Sequence, residues 1–238
     1  MRHLYLYVEG QTELTFADVV LKPHLASFQV YLSAMKAIHS RSKGKVYKGG
    51  VTRYDSFERG LRNLVKQHAK RADVTVSTMI DLYALPTDFP DWEEAEKSRI
   101  DPYARVAHLE QALANDIEPD PARFIPYIQL HEYEALLFAD PGKLDLFYAE
   151  HPDRIGELQK IVDAQPNPEL INDGKHTAPS KRIIAHLPDY DGAKPVVGPQ
   201  VAERIGLPLL RAKCRHFDDW VKSLEALGQP PTSAGTGE

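Results

Sequence analysis

Acidic residues recur in this sequence at the points where apolar runs end. Three of them do so directly, Glu9, Asp81 and Glu132, and Glu13 and Glu134 lie a short step further along the chain. Hard divalent cations prefer oxygen ligands and keep several of their waters. If these carboxylates share one crevice, they predict a site for Mg²⁺ or Mn²⁺. Two such ions can activate a water and stabilise the leaving oxygen in phosphodiester cleavage.

Each acid also has a simpler interpretation. Glu13 suits the first turn of a helix, where the helix dipole favours a negative charge. Glu9 could be a solvated strand end, and Asp81 a helix or turn cap. The metal hypothesis therefore depends on whether these side chains meet in space.

Two groups of cations could act on a phosphate. Lys181 and Arg182 lie together near the start of a helix expected from about Ser180, and either could neutralise charge in a phosphoryl transition state. The simpler interpretation of Lys181 is a surface lysine. The segment Arg41–Gly50 holds four cations and three glycines. This segment could be a solvated loop, or a loop that binds the phosphates of a nucleic acid backbone through Lys43, Lys45 and Lys48.

Strands and helices must alternate to position these residues. Apolar and β-branched runs predict strands at 4–8, 28–38, 74–80 and 124–130, with Pro126 indicating an edge position or a bulge in the last. Helices are predicted after an N-cap at Thr12, over 54–70, from Pro102 and over 135–139. This alternation predicts an α/β fold with a mainly parallel central sheet and helices on both faces. Its ligand site belongs at the carboxyl ends of the strands.

The chain divides into three parts on composition and periodicity. We predict an α/β core over 1–140, a mostly helical C-terminal part over 141–227 packed on that core, and a disordered tail over 228–238. Within the core, the proline- and acid-rich stretch 83–99 reads as a long loop that could cover the site as a lid.

Bulk properties exclude several classes of protein. The 238 residues carry a formal charge of -5, so any contact with a polyanion must be local or work through bound cations. The single cysteine, Cys214, excludes an internal disulfide and a cysteine-rich zinc site. Without a signal-peptide pattern or a run of about 18 apolar residues, we expect a cytoplasmic protein that does not span a membrane. Motifs of zinc proteases, Walker-type and dinucleotide-binding glycine loops and serine nucleophile elbows are absent.

Several segments together resemble a known group of proteins. They are VEGQTE, TMIDLYALPTDFP, RFIPYIQLHEYEALLF, PELINDGKHTAPSKRI and the region around Cys214, His216, Phe217 and Trp220. VEGQTE looks like the opening motif of Toprim domains, especially those of the overcoming-lysogenization-defect (OLD-like) nucleases. The closest resemblance, over nearly the whole chain, is to an uncharacterised Toprim-like family whose members are often encoded beside ABC-type or SMC-like ATPases in prokaryotic defence loci.

The resemblance implies a Rossmann-like Toprim fold and Mg²⁺-dependent phosphodiester chemistry. Glu9 would match the invariant glutamate of the family and Glu13 the second acid of the opening motif. Asp81 matches the first acid of Asp-x-Asp, while Glu132 and Glu134 resemble the Glu-x-Glu pair of OLD-like nucleases. Lys181 is a candidate for their late lysine.

One position departs from the family pattern. Tyr83 replaces the second Asp of Asp-x-Asp, so either Asp88 or Asp91 swings in from the following loop, or one metal is bound weakly. The first hypothesis is a metal-dependent nuclease that acts on DNA. It would work with a separately encoded ATPase in anti-phage defence, and its oligomeric state is left open. The alternatives are a non-catalytic subunit that binds nucleic acid or a partner, and a phosphoesterase or nucleotidyl-transfer enzyme for small molecules.

Overall fold

The computed structural model of the chain describes residues 1–37, 53–171, 174 and 177–229. Its strands are β1 Arg2–Val8, β2 Val30–Lys36, β3 Val74–Asp81, β4 Phe124–Ile125 and β5 Ile128–Gln129. They form a central parallel sheet in the order β2-β1-β3-β4, and β5 also pairs with β3.

Helices supply the rest of the regular structure. They are α1 Gln11–Phe16, α2 Lys22–Ala26, α3 Tyr54–Gln67, α4 Trp92–Glu96, α5 Pro102–Ile117, α6 Asp145–Tyr148, α7 Pro152–Ala164, α8 Pro179–His186, α9 Tyr190–Ile205, α10 Leu207–Lys213 and α11 Arg215–Ala226. A π-helical turn, Ala17–Leu21, joins α1 to α2. Short 3-10 segments lie at Leu82–Ala84, Tyr133–Ala139, Pro141–Leu144 and Pro168–Leu170. The predicted α/β class with a parallel sheet and C-terminal helices is confirmed, and the arrangement is compatible with a Rossmann-like fold.

Both faces of the sheet are covered, because alternate residues of β1 enter different hydrophobic clusters. Leu4, Leu6 and Val8 pack with α1, α2, α9 and the C-terminal helices. Tyr7 packs on the opposite face with α3 and α5. Near-continuous apolar strands are typical of a parallel sheet buried on both faces, and β3 is buried along its length up to Asp81.

Two local predictions need adjustment. Thr12 is not the N-cap of the first helix, since that helix begins at Gln11 and Gly10 occupies the capping position in an extended conformation. The predicted strand 124–130 is interrupted at Pro126, which separates β4 from β5. Proline cannot donate a hydrogen bond to the neighbouring strand, so the irregularity expected at Pro126 is confirmed.

The C-terminal helices are held directly against the sheet. The indole Nε1 of Trp220 donates to Ser77 Oγ on β3 at 3.0 Å, and the indole stacks on Tyr127 with ring centroids 4.2 Å apart. Glu169 is fully buried and accepts hydrogen bonds from the backbone N–H groups of His216 and Phe217, at 3.0 and 2.9 Å. These contacts agree with a C-terminal part packed on the core; the boundary at residue 140 stays a prediction. In the described part of the chain, no helix has the length and apolar character needed to cross a bilayer.

Candidate functional site

Three chain junctions meet at the carboxyl edge of the sheet. Glu9 directly follows β1, and its backbone N–H donates to Met79 O at 3.1 Å. The Oε2 atom of Glu9 accepts the backbone N–H of Asp81 at 3.0 Å. Because β1 and β3 run parallel and in register, the ends of these two strands deliver their acids to one place, as the sequence predicted.

The first turn of α1 brings in Glu13. Its Oε2 accepts the backbone N–H of Gly10 at 2.8 Å, which turns the carboxylate back toward the strand end. A side chain at position 10 would crowd this carboxylate, since a Cβ there would lie 3.1 Å from Glu13 Oε2. The Val-Glu-Gly-Gln-Thr-Glu motif therefore has a local physical reason for its glycine.

A strained turn positions the second acid pair. His131 adopts a left-handed conformation with φ of 62°, which is uncommon for a residue other than glycine. Its carbonyl accepts the backbone N–H of Tyr83 at 2.9 Å, so the chain after β5 is tied to the chain after β3. Strain of this kind costs on the order of 1–3 kcal/mol and clusters at functional sites. The residues that follow, Glu132 and Glu134, are both buried.

The C-terminal helices hold this second pair from the other side. Glu132 Oε2 accepts the backbone N–H of Ser180 in the first turn of α8 at 2.8 Å. Glu134 Oε1 lies 3.4 Å from the hydroxyl of Tyr190 and 3.5 Å from Lys194 Nζ, both on α9. Tyr190 and Lys194 are four residues apart, so they share one face of that helix.

The five acids form one electrostatic group, here called the acid cluster: Glu9, Glu13, Asp81, Glu132 and Glu134. Burial raises the pKa of Glu9 to about 8, and the negative charge of Glu13 is the next cause. Burial raises the pKa of Glu13 to about 7, with Glu134 adding to the effect and Lys194 opposing it. The pKa of Asp81 is well above its usual value because of burial and then the charge of Glu9. Without a further cation, the cluster therefore holds protons near neutral pH.

Among the described residues, Lys194 forms an ion pair with the acid cluster, whereas Lys181 does not. Burial raises the pKa of Glu134, whereas the charge of Lys194 acts in the opposite direction. Lys181 is exposed on α8 and forms no ion pair with the cluster within the described residues. The expected role of Lys181 as a cation for the phosphate stays a prediction, while Lys194 is the cation that the described contacts place beside Glu134.

The chemistry of the donors fits a hard divalent cation. All five are carboxylates, and three of them use one oxygen to accept a backbone N–H, which leaves the other oxygen outside those bonds. The Oδ1 atom of Asp81 is buried and has no hydrogen-bond partner within the described residues. However, no set of three or more His, Cys, Asp or Glu side chains in the described ranges is already arranged to hold a metal ion.

The two acids considered as substitutes for the missing Asp-x-Asp ligand have other partners. Asp88 Oδ1 accepts the backbone N–H of Tyr54 at 3.2 Å, and Asp91 Oδ2 lies 3.5 Å from His108 Nε2. These contacts attach the 83–99 segment to α3 and α5. Tyr83 itself is 41% exposed. The structure thus supplies no replacement carboxylate from Asp88 or Asp91.

Sequence reasoning missed three residues of the site: Tyr133, Tyr190 and Lys194. The signal for Lys194 was a single lysine in an otherwise apolar and acidic stretch, YDGAKPVVG, one helical turn after a tyrosine. Nothing in that pattern indicates which distant acid it faces. The basic segment Arg41–Gly50, with Lys43, Lys45 and Lys48, falls outside the described residues.

Comparison with known proteins gives a match to one family and nothing more specific. A family model of a domain of unknown function matches residues 8–225, which includes the whole acid cluster and Lys194. No curated protein and no solved structure matches the chain. Proposals about activity therefore rest on the site and on the motif resemblance described above.

Proposed function

The chain belongs to the family described as Domain of unknown function (DUF4276), and we propose that it is a divalent-metal-dependent phosphodiester hydrolase of Toprim type. The observation that carries this proposal is the acid cluster: five carboxylates from three chain junctions, gathered at the carboxyl edge of the sheet. Burial raises the pKa values of Glu9, Glu13, Asp81 and Glu134, and the charges of neighbouring acids add to this effect. Groups with strongly shifted pKa values in a cleft are typical of functional sites.

Glu9, Asp81 and Glu132 are the proposed core of the cation site, with Glu13 and Glu134 completing it. When bound, Mg²⁺ or Mn²⁺ would supply the Lewis acidity needed to activate water and to stabilise a leaving oxygen. Backbone N–H groups hold one oxygen of Glu9, Glu13 and Glu132, so these contacts would restrain the carboxylates as a cation draws them together. Such outer contacts fix the direction of ligands in metal sites.

Lys194 takes the role first expected of Lys181. Its ammonium group lies 3.5 Å from Glu134 Oε1 and is only 27% exposed, so a charge on a phosphate bound beside the cluster would be poorly screened by solvent. A positive charge held in such a position stabilises the developing negative charge of a phosphoryl transition state. Lys181, exposed at the start of α8, is suited to contact a phosphate of the substrate at the rim.

The proposed substrate and partner rest on the motif resemblance. The OLD-like nucleases and their relatives suggest DNA as the substrate and a separately encoded ABC- or SMC-like ATPase as the partner. The overall charge of -5 gives no general attraction to DNA, so binding would depend on bound cations and on local groups such as Lys181 and Lys194.

The test is hydrolysis of two substrates by one set of proteins. Wild type, Glu9→Gln and the exposed control Glu93→Gln are each incubated with plasmid DNA and with bis(p-nitrophenyl) phosphate, in Mn²⁺ or in EDTA. We expect cleavage by wild type and Glu93→Gln in Mn²⁺ only, and at least a 100-fold loss in Glu9→Gln, in line with the effect of removing a catalytic electrostatic group. Equal cleavage by all three proteins would refute the proposal.

A second candidate, the non-catalytic subunit, is favoured by two observations. The described carboxylates are not already arranged around a metal position, and the residue in place of the second Asp, Tyr83, is partly solvent-exposed. This candidate predicts binding of DNA or of the ATPase that is unchanged by EDTA and by Glu9→Gln. Binding of that kind, together with no hydrolysis of either substrate, would select it over the enzyme.

A further inference from the structure

Tyr133 lies between two members of the acid cluster in the chain and packs against Phe16 and α9. It begins the 3-10 segment Tyr133–Ala139 and stands between Glu132 and Glu134 in the chain. Its ring packs edge-on against Phe16, with centroids 5.4 Å apart. On the other side it meets Gly198 of α9, where an added Cβ would lie 3.1 Å from the Tyr133 ring. The side chain is therefore held in one place from both sides.

The hydroxyl of Tyr133 has no hydrogen-bond partner among the described residues, although it is buried. The other fully buried tyrosines near the site are paired: Tyr127 donates to Gln129 Oε1 at 2.7 Å and Tyr190 to Glu134 at 3.4 Å. Leaving a buried hydroxyl unpaired costs about 1–3 kcal/mol. An exception of this kind points to a partner that is present only in another state of the site.

The surroundings of this hydroxyl indicate which partner that is. Besides burial, the charges of Glu13, Glu134 and Asp81 all raise its pKa well above the usual value for tyrosine. A phenol hydroxyl can donate one hydrogen bond. The acceptors closest in kind are the carboxylates around it, whose oxygens can accept that bond.

We propose that Tyr133 is a positioning residue of the cation site, whose hydroxyl donates to a carboxylate of the acid cluster once a divalent cation has drawn those carboxylates together. This inference rests on the cation site of the proposed function but not on the identity of its substrate. It explains why a costly unpaired hydroxyl is retained: the hydroxyl stabilises the loaded state at the expense of the empty one. Ligating carboxylates are commonly oriented by hydrogen bonds of this type.

The experiment compares Tyr133→Phe with wild type and with Tyr54→Phe. Tyr54 is a suitable control because its buried hydroxyl has a partner, Asp116 Oδ2 at 2.5 Å, on α5. Mn²⁺ affinity is measured by electron paramagnetic resonance of the free ion, and melting temperature is measured in EDTA and in saturating Mn²⁺. Both readouts are independent of catalysis.

We expect opposite effects of Tyr133→Phe in the two states. In EDTA it should melt at or above the temperature of wild type, because it removes an unpaired buried hydroxyl. Its Mn²⁺ affinity should fall about 10-fold, the size of effect seen when an outer contact of a metal ligand is removed. Tyr54→Phe should melt below wild type in EDTA and bind Mn²⁺ with unchanged affinity.

Two results would overturn the inference. If Tyr133→Phe binds Mn²⁺ as wild type does, the hydroxyl does not serve the loaded site, while the proposed function is untouched. If Tyr133→Phe loses as much stability in EDTA as Tyr54→Phe, the hydroxyl has a structural partner in the empty state. Absence of Mn²⁺ binding by wild type is a different outcome, since it removes the proposed cation site and this inference together.

Discussion

Glu9→Gln should stabilise the metal-free protein while it abolishes cation binding. The substitution keeps an oxygen that can accept the backbone N–H of Asp81, but it removes a carboxyl group that burial and neighbouring acids make costly to ionise. A residue that lowers stability and is nevertheless present is characteristic of a functional site.

The size of the effect follows from the pKa of Glu9. In the unfolded chain Glu9 loses its proton near the ordinary value of 4.5, and in the folded chain near about 8. Between these values the folded state binds more protons than the unfolded state, so the free energy of unfolding falls as pH rises. From pH 4.5 to pH 7, at about 1.4 kcal/mol for each pH unit, the loss is at most about 3.5 kcal/mol. Because Glu9 shares protons with neighbouring acids, we expect a gain of about 1–3 kcal/mol in Glu9→Gln at pH 7.

Thermal melting in EDTA at pH 4.5 and pH 7 measures this directly, with Glu93→Gln as the exposed control. At about 2–4 °C for each kcal/mol in a chain of this size, Glu9→Gln should melt about 2–12 °C above wild type at pH 7 and close to it at pH 4.5. Saturating Mn²⁺ should reverse the order, since a ligand bound only by the folded state stabilises it. If Glu9→Gln melts below wild type at pH 7 in EDTA, the fold stabilises the ionised form of Glu9 and the reasoning about the acid cluster is wrong.

Three further predictions test other parts of the structure. Lys194→Met should reduce hydrolysis of bis(p-nitrophenyl) phosphate by about 100-fold, whereas Lys181→Met should change it little, because that substrate is too small to reach the exposed start of α8; a loss confined to Lys181→Met would return the role to Lys181. Mn²⁺ affinity should rise at least 10-fold per pH unit between pH 6 and 7, because the cation displaces protons from Glu9 and Glu13, and should level off above about pH 8; a flat profile in titration calorimetry would contradict this. Glu169→Ala should lower the free energy of unfolding in urea by about 2–4 kcal/mol, because it leaves the N–H groups that start α11 without their acceptor; an unchanged midpoint would show that these groups find water.

The elements that carry the acids could be predicted because local patterns specify them. Apolar strands that end in Glu9 and Asp81 identify themselves by composition, and parallel pairing then brings their ends together. The interruption at Pro126 could also be predicted, because a proline has no backbone N–H to continue the hydrogen-bond pattern of its own strand. The N-cap was misplaced because Glu13 reaches back to Gly10, a contact that no propensity scale contains.

The cation could not be predicted in the same way. Lys181 and Lys194 both lie on helices in the C-terminal part. The sequences around them do not predict which face of each helix packs toward the sheet. That choice is made by packing: α9 lies against α1, where Gly198 allows close contact with Tyr133 and Tyr190. Long-range packing of this kind depends on the whole fold, so it becomes visible only in the structure.

The acids and their counter-charge lie on opposite sides of the boundary predicted at residue 140. All five carboxylates belong to the segment 1–140, while Ser180, Tyr190 and Lys194 come from the segment 141–227. A fragment ending at residue 140 would thus keep every proposed ligand and lose Ser180, Tyr190 and Lys194, which restrain Glu132 and Glu134. Such a fragment would present a concentrated negative charge to solvent, so the helical part behaves less as an appendage than as the second half of the site.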